Sequence, residues 1–129
     1  MLFQAVDKHI DNRGCLVAIN ELPFKAKRIF YVTGVPKGET RGKHAHYRNK
    51  QILICVSGVI SIKLDTGRFI KNFELKQNDS VFVNNLTWDE QTYETGNDIL
   101  LAVCSTEYDD DDYIRNYNEF KKIIQERRL

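Results

Sequence analysis

No stretch of the 129-residue sequence approaches the ~20 consecutive apolar residues that a membrane-spanning helix needs. The first residues, Met-Leu-Phe-Gln-Ala-Val-Asp-Lys, lack the basic start and long apolar centre of a secretory leader. Neither sign of charge is in excess, with 19 Lys and Arg against 18 Asp and Glu, so a broad electrostatic footprint for nucleic acid is not expected. Cysteine is scarce and odd in number. Cys15, Cys55 and Cys104 are widely spaced, each among apolar neighbours, which reads as three buried free thiols and not as a disulfide framework or a metal cluster. That usage fits a reducing cytoplasm. There is no repeat, no low-complexity linker and no sign of a second domain. Residues 1–129 are enough for one domain with a real core.

What the sequence does contain is a series of short strands. Leu2 to Val6 reads as a first strand. Asp11-Asn12-Arg13-Gly14 is a tight-turn signal, because Asn and Gly tolerate positive φ, and Cys15 to Ile19 would form the partner strand. Lys27 to Val32 is rich in β-branched and aromatic residues. Gln51 to Val56 and Val59 to Leu64 flank Ser57-Gly58, a candidate hairpin. Asp65-Thr66-Gly67 marks another, answered by Phe69 to Leu75. Ser80 to Val83 and Ile99 to Thr106 complete the set. After the acidic run at residues 109–112, Tyr113, Tyr117, Phe120 and Ile124 recur at helical spacing. The acids suit a helix N-terminus, and Lys121, Lys122, Arg127 and Arg128 its C-terminal half. About nine short strands followed by one terminal helix imply an all-β, antiparallel jelly-roll barrel with a C-terminal helix.

The chemistry concentrates between Gly38 and Gly58. His44 and His46 are two residues apart in an extended segment, so both imidazoles face the same way. Arg41, in the odd register, faces the other way unless the backbone twists it in. The run from Ile52 to Val56 has no polar face and reads as a buried strand. Imidazole titrates near neutrality, so a histidine pair in a barrel mouth suits proton transfer.

Gly38, His44, His46, Gln51 and Gly58 fall on the spacing of the first cupin motif, with Gln51 where cupins carry Glu. Residues 78–89 resemble the second motif, with Asp89 where its His is expected. Two histidines and Asp89 leave open a metal site of the two-His, one-carboxylate kind. A closer resemblance runs through Lys27-Arg28-Ile-Phe-Tyr31, Arg41-Gly-Lys-His44-Ala-His46, Gln51-Ile-Leu-Ile-Cys, Leu64-Asp-Thr-Gly67, Trp88 and Asp112-Tyr-Ile-Arg-Asn-Tyr117. These segments resemble the WxcM-like sugar 3,4-ketoisomerases over nearly the whole chain.

The resemblance implies a metal-free and cofactor-free cupin barrel acting on dTDP-4-keto-6-deoxyglucose. It also implies a homodimer that exchanges N-terminal strands. By the same resemblance, His44 would be the base for the carbon-bound proton, and His46 would serve the oxygens, with Tyr31. Arg41 would hold the diphosphate or an oxyanion, and Gln51 would bond substrate or orient a histidine. Arg28, Asp89 and Trp88 join as substrate-binding candidates, as does Arg13, reaching a partner's pocket. Arg13 points toward a 3-keto-6-deoxygalactose product over its gluco epimer, destined for a 3-amino-3,6-dideoxyhexose of a surface glycan. A metal-dependent cupin oxygenase and a non-catalytic nucleotide-sugar binding module are the competing expectations.

Overall fold

A computed structural model describes residues 6–127. Two antiparallel sheets face each other. The first has four strands in the order β3 (Arg28–Val32), β10 (Ile99–Cys104), β5 (Gln51–Ser57), β8 (Ser80–Val83). The second has five, in the order β11 (Tyr113–Ile114), β4 (Thr40–His46), β9 (Trp88–Tyr93), β6 (Ile60–Asp65), β7 (Ile70–Leu75). β1 (Asp7–Asp11) and β2 (Gly14–Ala18) form a separate hairpin. This is the expected jelly roll, with one helix, α1 (Tyr117–Arg127), at its C-terminal end.

Three apolar clusters hold it. Leu53, Cys55, Val81 and Leu100 from the four-stranded sheet meet Ile60, Ile62, Leu64, Leu75 and Tyr93 from the other. The opposite face of the four-stranded sheet, carrying Ile52, Ile54 and Val103, is covered by Ile19, Leu22 and Phe24. β5 is therefore buried on both faces, which explains why its apolar run has no polar side. The third cluster packs α1 through Phe120, Ile123 and Ile124 against Ala45, Trp88 and Ile114. The Tyr117 hydroxyl adds a hydrogen bond to the buried Asp65 carboxylate.

Several sequence expectations are corrected here. The expected first strand over residues 2–6 lies outside the described residues except for Val6, which is buried. The partner of β2 is β1, with Asp11 opposite Gly14. Cys15 lies on this hairpin and is exposed, whereas Cys55 and Cys104 are buried; all three are free thiols. The acidic run does not start the long helix. Asp109 Oδ1 accepts from Asp111 N at 3.0 Å and caps a 3-10 turn over Asp110–Asp112. Asp112 is buried and accepts from the backbone N–H groups of Arg48 and Asn49 at 2.8 and 3.1 Å. Tyr113 and Ile114 then pair with His46 and Ala45 as β11. α1 begins only at Tyr117, where Asn116 Oδ1 accepts from Glu119 N at 2.9 Å. A ladder to β4 thus outweighs the helical period that Tyr113 completes on paper.

Ser57-Gly58 is not a hairpin turn. β5 pairs with β10 and β8, and β6 pairs with β7 and β9, so the chain crosses from one sheet to the other at Gly58. Gly58 has φ +83°, and a Cβ there would lie 2.1 Å from Asp98 Oδ1. That carboxylate accepts from Val59 N, Thr95 N, Gly96 N and the Thr95 hydroxyl, so it cannot retreat without disturbing four bonds. Gly58→Ala is expected to destabilise the fold by about 1–3 kcal/mol, read as a lowered urea midpoint with an unchanged m-value.

Candidate active site

The site is built around a bulge in β4. Arg41 pairs with Gln91 and Gly42 with Glu90, but the next pair is His44 with Asp89, so Lys43 is an extra residue. Gly42 and Lys43 both take positive φ, +85° and +59°. The bulge breaks the alternation of the strand. Arg41, which a regular strand would send outward, shares a face with His44. Gly42 is required by contact as well as by conformation: a Cβ would meet Asp89 Oδ1 at 2.8 Å.

The two histidine rings lie 5.0 Å apart at 70°. Tyr113, opposite His46 in the β11–β4 ladder, stands edge-on to His44 at 5.2 Å and tilted against His46 at 4.5 Å. The Arg115 guanidinium covers the Tyr113 ring at 4.1 Å and is held by Asp110 at 3.1 Å. These groups open on a cavity of about 410 Å³ whose polar lining includes Arg28, Arg41, Arg115, His44, Gln51 and Gln91. Among the described residues, three guanidiniums and no carboxylate line it. Such a mouth selects an anionic ligand, and planar guanidinium forks suit phosphate.

Burial dominates the titration of the histidines. It pushes His44 down to about 4, with help from neighbouring His46 and Arg115, against a hydrogen bond that the ring donates to the Gly42 carbonyl. His46 is likewise pushed down to about 4 by burial, then by Arg115 and Arg28. Both imidazoles are therefore neutral at pH 7, each with a basic lone pair. Asp89 is fully buried, and burial pushes its carboxyl up to about 7, against a hydrogen bond from Gln91. Its Oδ2 lies 3.8 Å from His44 Nε2. Among the described residues, the buried side-chain atoms without a hydrogen-bond partner are His46 Nε2, Gln51 Oε1 and Asp89 Oδ2. All three sit at or beside this cavity. Unmet polar atoms gathered in one place mark where a polar ligand is to be met.

The structure thus gathers His44, His46, Arg41, Gln51 and Arg28, with Asp89 behind His44. Two candidates stand elsewhere, while Tyr31 is 70% exposed between Phe30 and Val32, which pack on the core, and is among the residues that line the cavity. Trp88 precedes Asp89 and so faces the other side of the sheet, buried under α1 against Tyr117 and Phe120. Arg13 is 86% exposed at the hairpin tip and pairs with Asp11 at 2.9 Å. Tyr113, Arg115 and Gln91 were missed as site residues. The first was absorbed by the helical period, and the last lies in β9, whose inward residues are mostly polar. Among the described residues no three His, Cys, Asp or Glu side chains are grouped to hold a metal ion. The cationic lining opposes a metal further.

Residues 2–125 match the family model described as FdtA: WxcM-like, C-terminal. The chain belongs to this family. The WxcM-like chain is 36% identical over 126 residues to the TDP-4-oxo-6-deoxy-alpha-D-glucose-3,4-oxoisomerase of Aneurinibacillus thermoaerophilus, covering 95% of this chain and 91% of the relative. Its backbone matches the sugar 3,4-ketoisomerase QdtA of Thermoanaerobacterium thermosaccharolyticum, solved with TDP, with TM-score 0.92 and 34% identity over 100% and 96% of the two chains. A 3,4-ketoisomerase from Helicobacter canadensis matches with TM-score 0.89 and 33% identity over 95% of each chain.

The titrations make stability depend on pH. The folded pKa of each histidine lies below the unfolded 6.5, so the unfolded chain takes up more protons and stability falls as pH drops from 6.5 to 4. Asp89 has the opposite sign. Its folded pKa of about 7 exceeds the unfolded 3.8, so it favours the fold increasingly as pH drops through that window. In Asp89→Asn this offset disappears. Stability measured by urea unfolding between pH 6.5 and 4.5 should then fall more steeply than in the wild type, by up to about 1.4 kcal/mol per pH unit.

Proposed function

We propose that this WxcM-like chain is a single-domain sugar 3,4-ketoisomerase that moves the keto group of TDP-4-keto-6-deoxyglucose from C4 to C3 through an enediol. Its product is TDP-3-keto-6-deoxygalactose. The observation that carries this reading is the pair of neutral imidazoles in a cavity lined by three guanidiniums. A deoxysugar carried on a nucleoside diphosphate brings the anionic group that such a mouth accepts. The relative from Aneurinibacillus thermoaerophilus is named for this reaction. A variant of the Thermoanaerobacterium thermosaccharolyticum enzyme, 33% identical, was solved with TDP-4-keto-6-deoxyglucose.

The chemistry needs only proton traffic. The C4 carbonyl acidifies the C3 proton, and His44 takes it. The C–H pair enters an enediolate, whose oxygen charge is met by a cavity guanidinium and by His46. A proton returned to C4 and another moved between the oxygens complete the transfer. The two carbons exchange oxidation level internally, so no redox partner takes part. Arg41, Arg28 and Arg115 hold the diphosphate and oxyanion, and Gln51 bonds the sugar.

The product would feed an aminotransferase making a 3-amino-3,6-dideoxyhexose for a surface glycan, in the cytoplasm. The active form would be a homodimer exchanging N-terminal strands. The β1–β2 hairpin pairs only with itself and exposes Ile10, Leu16 and Val17, while edge strand β3 exposes Ile29 and Tyr31. Exchange would bring Arg13 to a partner's cavity.

Replacing His44 by Asn should reduce kcat by about 10²–10⁴-fold with KM for the nucleotide sugar changed less than about threefold. Near-wild-type turnover would remove His44 from its role. The NMR titration midpoints of His44 and His46 in the free enzyme should lie well below 6.5, because both rings are held neutral; a midpoint at 6.5 or above contradicts the assignment. Proton NMR of the product from TDP-4-keto-6-deoxyglucose in deuterated water should show deuterium at the newly formed C4–H position and the galacto configuration at C4. An unlabelled sugar would mark a binding module, and an equatorial C4 hydroxyl the gluco enzyme.

A further inference from the structure

β9 sends Asp89, Gln91 and Tyr93 to the barrel interior, and hydrogen bonds tie them in a row. The Tyr93 hydroxyl donates to Gln91 Oε1 at 3.0 Å, and Gln91 Nε2 donates to Asp89 Oδ1 at 2.8 Å. Tyr93 and Asp89 are fully buried and Gln91 nearly so. The row fixes the carboxyl group of Asp89: Oδ1 is satisfied by the amide, and the backbone of Gly42 closes over it. Oδ2 is left buried, without a hydrogen-bond partner, 3.8 Å from His44 Nε2. That is beyond a hydrogen bond, but such contacts commonly close only when the ligand is in place.

We propose that Asp89 is a positioning residue for His44: on substrate binding Oδ2 closes on Nε2, sets which imidazole nitrogen carries the proton, and holds the charge His44 gains in catalysis. This rests on the isomerase reading and deepens it. When the C3 proton passes to a lone pair of His44, the C–H bonding pair forms the C3–C4 double bond and the carbonyl π pair moves onto O4. The imidazolium then returns a proton to C4 while the C3 hydroxyl proton passes to O4 and the C3 oxygen becomes the ketone. The ring is restored and no other reactant is consumed. Between those events a positive charge sits where burial, His46 and Arg115 all disfavour it. A buried carboxylate at Oδ2 opposes all three. The carboxyl of Asp89, which burial raises to about 7 against the hydrogen bond from Gln91, gains and loses its charge near neutral pH. A His that must accept a proton in a dry site needs such a counter-charge, and the orienting carboxylate of hydrolase triads works by the same physics.

Two measurements test this. Asp89→Asn should lower kcat for TDP-4-keto-6-deoxyglucose at least tenfold with KM within threefold of the wild type. In the wild type, which needs no variant to fold, adding TDP should move the His44 Nε2 ¹⁵N signal into the range of a hydrogen-bonded N–H. A kcat within twofold of the wild type, or an Nε2 signal that TDP leaves unmoved, overturns the role of Asp89. Wild-type protein without turnover removes the isomerase reading itself, and the proposal with it.

Discussion

The protein depends on keeping two imidazoles dry. Water would hold His44 and His46 near their ordinary titration range, and at neutral pH a share of them would be charged and useless as bases. The barrel wall, the Tyr113 ring and the cover of β11 remove that water. Burial then does most of the work of lowering both pKa values, and the surrounding guanidiniums add to it. The same guanidiniums are the reason a doubly charged diphosphate would enter. In the proposed isomerase, one arrangement of charge would thus both attract the ligand and keep the base unprotonated.

That arrangement is paid for by irregular backbone. A regular β4 would split Arg41 from the histidines. The extra residue at Lys43, with Gly42 beside it in positive φ, brings them together and leaves room for Asp89. The polar ladder on β9 has a cost as well. Asp89 and Gln91 occupy inward positions that apolar side chains would otherwise fill, and the apolar clusters on either side supply the stability that this strand does not.

The strand pattern was legible wherever hydrophobic burial dictates it. β5 is an apolar run because both its faces are covered, and the β6–β7 hairpin announces itself through Asp65-Thr66-Gly67. β9 was not legible, since its inner face reads Asp, Gln, Tyr and carries no apolar alternation. Tyr113 fitted a helical period with Tyr117 and Phe120, and only the pairing with His46 shows it to be a strand residue in the site. Ser57-Gly58 looks like a hairpin turn locally, and nothing short of the full sheet order reveals a crossover. His44, His46, Arg41, Gln51 and Arg28 could be singled out because the motif spacing carries them. Which neighbour faces in, as between Asp89 and Trp88 or Phe30 and Tyr31, is a matter of register, and register is set by partners distant in sequence.

β11 has one more consequence. Tyr113 and Arg115 come from the last fifth of the chain, yet they wall a pocket whose other members lie between residues 28 and 91. During synthesis the barrel strands leave the ribosome first, and the pocket lacks a side until the C-terminal segment emerges and docks. A nascent or truncated chain lacking residues 113–115 would therefore expose its histidines to water, so competence would arrive only once that segment has been made and has docked.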